Sequence, residues 1–231
     1  MKQTTKGIFI QRINYSESSL IVILYTELFG LQSFLFQGGR KKSQALHPLS
    51  LVECTFYKRP DSELAKLTEA SSLYPLPEII DNPIKSAIAF FMCDVIKNCF
   101  QQGSPETKAF EFLEAQIKLL NNTTKYTLFP IEFLIRLSQF IGISPFSGNE
   151  KMSYFYLEEG EFSNEMRYSL TREEGQHVYL LQEIYFLENP TSVNLSTRRK
   201  TLDTLINYFQ MHMPVFKIQQ SLEIIKAILY D

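Results

Sequence analysis

The residues best suited to chemistry in this chain are three cations that follow two glycines. Arg40, Lys41 and Lys42 stand directly after Gly38 and Gly39 in the run GGRKKSQ. Glycines let a loop bend, and a loop with three cations and backbone NH groups can follow a sugar-phosphate backbone. The run therefore predicts a contact with nucleic acid, and a solvated surface loop is the alternative.

Further cations stand where they could join this loop. Arg12 ends the first predicted strand, and Lys58 and Arg59 end the fourth. The first 60 residues hold eight Lys or Arg against three Glu, a net charge of +5, although the whole chain carries −2. Such asymmetry suggests an anionic partner for one part of the chain. We predict that Arg12, Lys58 and Arg59 bind nucleic acid together with the 40–42 cluster.

Aromatic residues near these cations could stack on unpaired bases. The candidates are Tyr15, Phe34, Phe36 and Tyr57. Alternate residues of a strand face opposite sides, so Phe34 or Phe36 could instead point into a core.

Motifs for catalysis and for metal binding are absent from the sequence. It contains no GxxxxGK[ST] phosphate loop, no GxSxG and no HExxH, and its three histidines are far apart. No spacing predicts a nucleophile beside a base. We therefore predict a binding protein without a cofactor, and not an enzyme. A protein-interaction scaffold whose barrel binds a peptide is the alternative function.

The cysteines and the apolar runs bear on localisation. Cys54, Cys93 and Cys99 are too few for a disulfide framework and form no CxxC pair. No run approaches the ~20 apolar residues of a membrane helix, and the first residues lack the apolar core of a secretory signal. We expect a cytoplasmic protein with reduced thiols and no membrane contact.

Residues 1–80 predict a domain of five strands. Runs rich in β-branched and aromatic residues alternate with turn residues. These runs are 7–13, 20–26, 31–37, 49–58 and 64–74. Five short strands suit a closed or partly closed barrel, which leaves no open edge. An OB-fold and an SH3-like barrel both remain open, because strand count does not separate them.

Residues 81–231 predict a helical domain, so that the fold class is α+β. Apolar residues at helical spacing predict helices over 84–100, 105–120, 129–141, 171–187, 196–212 and 218–230. The fourth of these starts at TREE, Thr171–Glu174, which is typical of a helix start. An insertion at about 144–170 interrupts the helices and holds a small hairpin around Glu158–Gly160.

Motifs at both ends of the chain resemble one family. The motifs are KGIF at 6–9, YSESSLI at 15–21, YTELFGL at 25–31, QGGR at 37–40, HMPVF at 212–216 and SLEII at 221–225. Their order and separation resemble the recombination mediator family RecO over essentially the whole chain.

The resemblance implies an OB-fold followed by a helical domain. It implies a bacterial, nucleoid-associated protein that binds single- and double-stranded DNA and anneals complementary strands. Its implied partners are RecR and the acidic, hydrophobic C-terminal tail of the single-strand-binding protein, with which it helps load RecA onto coated DNA. Arg198, Arg199 and Lys200, near the start of a late helix, could bind that tail or DNA, and a solvated helix start is the alternative.

The sequence departs from the family pattern in the helical domain. Many RecO proteins carry a four-cysteine zinc ribbon there, whereas residues 142–170 of this chain contain no cysteine. We therefore predict no metal site, and interpret the hairpin at 158–162 as the remnant of the ribbon. The lysine usual before the Ser-Leu-Glu motif is Gln220 here.

Overall fold

The computed structural model describes residues 2–39, 43, 46–58, 64–145, 150–186 and 193–230. Four of the predicted DNA-binding residues, Arg40, Lys41, Lys42 and Arg59, lie outside the described residues. The chain divides into two compact units, Met1–Thr124 and Lys125–Asp231. The predicted domain boundary between residues 80 and 81 stays a prediction, because compactness does not show which residues fold or act as one domain.

Five strands form a closed barrel in the first unit. They are β1 (Lys2–Asn14), β2 (Leu20–Thr26), β3 (Gly30–Phe36), β4 (Leu51–Tyr57) and β5 (Ala65–Tyr74). Their order is β1-β2-β3-β5-β4, and β4 pairs back onto β1. Neighbouring strands are antiparallel except for β3 and β5, which pair in parallel. This is a five-stranded OB-fold barrel, which confirms the predicted fold class and decides against the SH3-like alternative.

Alternate residues of the strands fill the barrel. Val22, Leu24, Phe34, Phe36 and Phe56 belong to one buried cluster. Phe34 and Phe36 are 0% and 1% exposed, so they are core residues and cannot stack on bases. Burial of one such ring contributes roughly 2–3 kcal/mol to folding.

One edge of β3 is covered by the chain segment around residue 103. The strand pairs with β5 only at Phe34–Phe36, which leaves the edge near Gly30 without a strand partner on that side. Gly103 N donates to Leu31 O at 3.0 Å, and Leu31 forms an isolated bridge with Gln102. The segment comes so close that a Cβ on Gly30 would lie 2.3 Å from Ser104 O.

Three helices follow the barrel in the part of the first unit that the structure describes. They are α1 (Pro77–Asp81), α2 (Pro83–Cys99) and α3 (Thr107–Asn122). Helix α2 contacts β1, and Cys93 Sγ lies 3.8 Å from Phe9 O there. Asn82 caps α2, because its side-chain oxygen accepts hydrogen bonds from Ile84 N at 2.9 Å and Lys85 N at 3.3 Å.

Replacing this cap is expected to destabilise the first unit. Asn82→Ala should lower the free energy of unfolding by about 1 kcal/mol, because two helix N–H groups lose their acceptor. Chemical denaturation measures the change. Asn82→Asp keeps an acceptor and should be at least as stable as the natural chain. Equal stability of Asn82→Ala and Asn82→Asp would contradict the role of the cap.

The described residues of the second unit form four helices and a three-stranded sheet. Its elements are α4 (Phe129–Phe140), β6 (Tyr154–Tyr156), β7 (Glu161–Ser163), β8 (Arg172–Glu174), α5 (Gln176–Tyr185), α6 (Leu195–His212) and α7 (Gln219–Leu229). The sheet order is β7-β6-β8. The predicted hairpin is present as β6 and β7. No helix in the described parts of the chain is long and apolar enough to cross a membrane.

The prediction of a helix from Thr171 was wrong. Residues 172–174 form β8, which pairs with β6, and the helix begins only at Gln176. One tertiary interaction and one local turn override the helix signal. The Arg172 guanidinium lies over the Tyr154 ring, 5.3 Å from its centroid, and Gly175 turns the chain with φ 106°.

Aromatic contacts hold the small sheet. The Phe155 and Phe162 rings stack with centroids 4.3 Å apart, and the Arg167 guanidinium lies 4.7 Å from the centroid of the Tyr156 ring. A stacked pair such as Phe155 and Phe162 contributes roughly 0.5–1.5 kcal/mol beyond burial. Over the described residues, no group of three or more His, Cys, Asp or Glu could hold a metal ion.

Candidate nucleic-acid interface

One row of outward side chains crosses three neighbouring strands of the barrel. Lys2 of β1 lies opposite Tyr57 of β4, and Tyr57 lies opposite Lys66 of β5. Residues directly opposite in an antiparallel pair have Cα atoms about 4.5–5.5 Å apart and share one face. All three side chains are exposed, Tyr57 to 46%. We call Lys2, Tyr57 and Lys66 the cationic row.

The alternation of the strands points this row outward. Phe56, which precedes Tyr57, is in the barrel core, as are Ala65 and Leu67 on either side of Lys66. A strand with one face in the core must present its next residue to solvent. The cationic row is therefore fixed to the barrel surface by the same residues that fill the barrel.

The row continues as an apolar row toward the other end of β1. Lys66 pairs with Leu35 of β3, Leu35 with Ile21 of β2, and Ile21 with Ile13 of β1. OB-folds bind oligonucleotides on the face of strands 2 and 3 and on the β1–β2 and β4–β5 loops. Because β2 and β3 contain no Lys or Arg, the positive charge of the row lies on β1 and β5, on either side of β4.

On this face of β1, β4 and β5, the net positive charge lies at the end that carries the cationic row. At the next outward position of these strands, Thr4 Oγ1 and Thr55 Oγ1 lie 3.0 Å apart, and Glu69 lies opposite Thr55. A further step along, Lys6 lies opposite Glu53, so the charges balance there. Among the described residues, no salt bridge joins Lys2 or Lys66 to an acid.

Lys58 and Arg12 are the predicted DNA-binding residues within the described part of the barrel. Lys58 is exposed and directly follows Tyr57, so it lies next to the cationic row. Arg12 Nη1 donates to Ser43 O at 3.2 Å. Ser43 follows Lys42 in the chain, and its backbone N–H donates to Gly39 O at 2.7 Å. Arg12 therefore contacts the connection that carries the GGRKK run. The DNA-binding roles of Lys58 and Arg12 stay predictions.

The sequence reasoning missed Lys2 and Lys66. Neither belongs to a cluster, and their proximity to Tyr57 depends on strand register. The alternation in Ala65-Lys66-Leu67 was the available signal that Lys66 faces outward.

The three cations that we predicted to bind a partner's tail, Arg198, Arg199 and Lys200, differ in their surroundings. Lys200 Nζ lies 3.1 Å from Glu173 Oε2, and His177 Nε2 lies 2.9 Å from the same oxygen. The hydrogen bond with His177, with Lys200 adding to it, holds the pKa of Glu173 below its usual value. Arg199 is half-buried. Lys200 is thus already engaged by an acid.

Arg198 lines a cavity between α5 and the start of α6. The cavity has a volume of about 730 Å³. Asn194 caps α6 at its edge, accepting from Thr197 N at 2.7 Å. Arg198 Nε is buried without a hydrogen-bond partner. The other lining residues are Gln176, Tyr179, Leu180, Glu183 and Val193. Tail binding by Arg198, Arg199 and Lys200 stays a prediction.

The cysteines are not reactive groups. Cys54, Cys93 and Cys99 are free thiols, and burial raises the pKa of each to about 12. At neutral pH they are therefore protonated and poor nucleophiles.

The barrel and the elements after it define an α+β protein that begins with an OB-fold. Residues 1–76 match the family model described as "Recombination protein O N terminal", and residues 81–217 match "Recombination protein O C terminal". The chain belongs to the RecO family of DNA repair proteins.

Curated relatives match over nearly their whole length. The chain is 30% identical to "DNA repair protein RecO" of Bacteroides fragilis, and the match covers 99% of each chain. It is 28% identical to the protein of that name from Phocaeicola vulgatus and 29% identical to that from Flavobacterium psychrophilum, again over 99% of each. The predicted family is therefore confirmed.

Proposed function

We propose that this chain is a DNA-binding recombination mediator that breaks no covalent bond. It binds single- and double-stranded DNA, anneals complementary strands and, with RecR, helps load RecA onto DNA coated by the single-strand-binding protein. It acts without a cofactor in the bacterial cytoplasm, at the nucleoid.

The cationic row is the observation that carries this proposal. Lysines neutralise phosphates and release counterions, which lowers the repulsion between two strands that must pair. Lys58 and Arg59 follow β4 in the sequence, and β4 carries Tyr57 of the cationic row. The other predicted contacts, Arg40, Lys41 and Lys42, follow β3 in the sequence. Membership of a DNA repair family supports the same function.

The helical part is proposed to bind the partners. The cavity beside Arg198 combines apolar side chains with a buried guanidinium nitrogen. That combination suits the acidic, hydrophobic tail of the single-strand-binding protein, which we place here with Arg199 and Lys200.

A salt titration tests the DNA-binding part of the proposal. Fluorescence anisotropy measures the Kd for a labelled single strand at about 50 and about 200 mM salt. If three lysines each neutralise one phosphate, the Kd should rise roughly twentyfold over this range. An annealing assay with complementary strands, bare and coated, tests the mediator activity. Absence of DNA binding at the lower salt would contradict the proposal and favour the peptide-binding scaffold.

A further inference from the structure

Tyr57 differs from other exposed tyrosines in its immediate neighbours. Tyr15 is 62% exposed and Tyr168 is 91% exposed, but Tyr15 stands two residues from Glu17, and Tyr168 follows the acidic run 158–165. Tyr57 has a lysine directly opposite on each side. Phosphates flanking a base stacked on Tyr57 would therefore be attracted from both sides.

We propose that the cationic row binds one nucleotide of a single strand, with its base stacked on Tyr57 and the phosphates on either side held by Lys2 and Lys66. This inference rests on the proposed function. It adds that Tyr57 is the stacking residue, that one nucleotide is the unit bound, and that the site prefers an unpaired strand.

The spacing of the row fits this ligand. Two ladder steps place the Cα atoms of Lys2 and Lys66 about 10 Å apart, with Tyr57 between them. Each lysine carries its ammonium on a flexible four-carbon stem, so both can reach the phosphates that flank one nucleotide. The tyrosine ring offers an apolar face at the point where the base of that nucleotide would lie.

The row also favours an unpaired base for a physical reason. In a duplex both faces of each base are stacked on its neighbours, so Tyr57 has no face to contact. A duplex can still place phosphates on the two lysines. Tyr57 should therefore contribute to the binding of single strands and not to that of duplexes.

Variants of Tyr57 test the inference by comparing the binding of a single strand with the binding of a duplex. Tyr57→Ala should weaken binding of a labelled single strand about tenfold, and change binding of a duplex of the same length less than twofold. Tyr57→Phe keeps the ring and should bind as the natural chain does. The salt dependence should not change in either variant, because no cation is removed. Tyr168→Ala, at an exposed tyrosine of the second unit, is the matched control and should leave both affinities unchanged.

An abasic strand separates stacking from charge. The natural chain should bind an oligonucleotide that lacks its bases about as weakly as Tyr57→Ala binds the normal strand. Tyr57→Ala should not distinguish the two strands. Tyr57→Leu, which keeps an apolar side chain without a ring, should behave as Tyr57→Ala and guards against a folding defect.

The outcomes distinguish this inference from the proposed function. If the natural chain binds no DNA, the proposed function fails. If it binds, and Tyr57→Ala binds a single strand equally well, the proposed function stands and the stacking site is wrong. An equal loss on single strands and duplexes would also contradict the stacking site.

Discussion

Replacing Lys2, Lys58 and Lys66 together with alanine is expected to weaken single-strand binding about a hundredfold at about 0.1 M salt. Two of these lysines belong to the cationic row, and the third directly follows Tyr57. Each lysine–phosphate contact that is lost on a single strand reduces the steepness of log K against log salt by about 0.7. The triple variant should therefore lose about two units of slope, which anisotropy at several salt concentrations measures.

Two controls separate charge at this site from charge in general. Replacing the same three lysines with arginine keeps the charge and should preserve the slope. Lys6→Ala removes a lysine of the same strand that lies opposite Glu53, and it should change the affinity less than twofold. A slope that stays the same in the alanine variant would remove these lysines from the site.

The same titration on a variant in which Arg40, Lys41 and Lys42 are replaced by alanine measures how much these three residues contribute to DNA binding.

We expect Gly30→Ala to lower the free energy of unfolding by about 3 kcal/mol. Gly30 has φ 63°, which strains any residue with a Cβ. A Cβ there would also lie 2.3 Å from Ser104 O, so the segment that covers the edge of β3 would have to move. Denaturation in urea measures the loss, with the m-value showing whether the transition stays cooperative.

Gly103→Ala is the matched control for this substitution. Gly103 has φ 78°, but the nearest atom to its added Cβ is Gln32 Nε2 at 3.7 Å. This variant should show the backbone strain alone, about 1 kcal/mol. The difference between the two variants measures the close contact with Ser104. Equal losses would mean that the contact at Gly30 relaxes without cost.

Local sequence patterns predicted the strands of the barrel well, because each strand has one buried face and is bounded by turn residues, but they missed the first five residues of β1, Lys2–Lys6. Val22, Leu24, Phe34 and Phe36 show this most clearly. The start of α5 was mispredicted, because Arg172 gains more from β6 and Tyr154 than from its own helix propensity. Propensity is a weak prior that tertiary contacts override.

The site could be predicted only in part. Charge clusters are visible in the sequence, and they drew attention to Arg40, Lys41 and Lys58. The cationic row joins residues from β1, β4 and β5, so it depends on register, which no local pattern fixes. The same limit applies to Arg12, whose contact with Ser43 spans 31 residues of chain.

The protonated thiols, two of them buried and that of Cys99 half-buried, have a practical consequence for experiments on this protein. Maleimide dyes react with thiolates, which Cys54, Cys93 and Cys99 scarcely form at neutral pH. A new cysteine at an exposed position, such as Ser18 in the β1–β2 turn, would be the site of labelling while the natural cysteines stay in place. Distances from that dye to a labelled strand could then be followed during annealing, without a cysteine-free background.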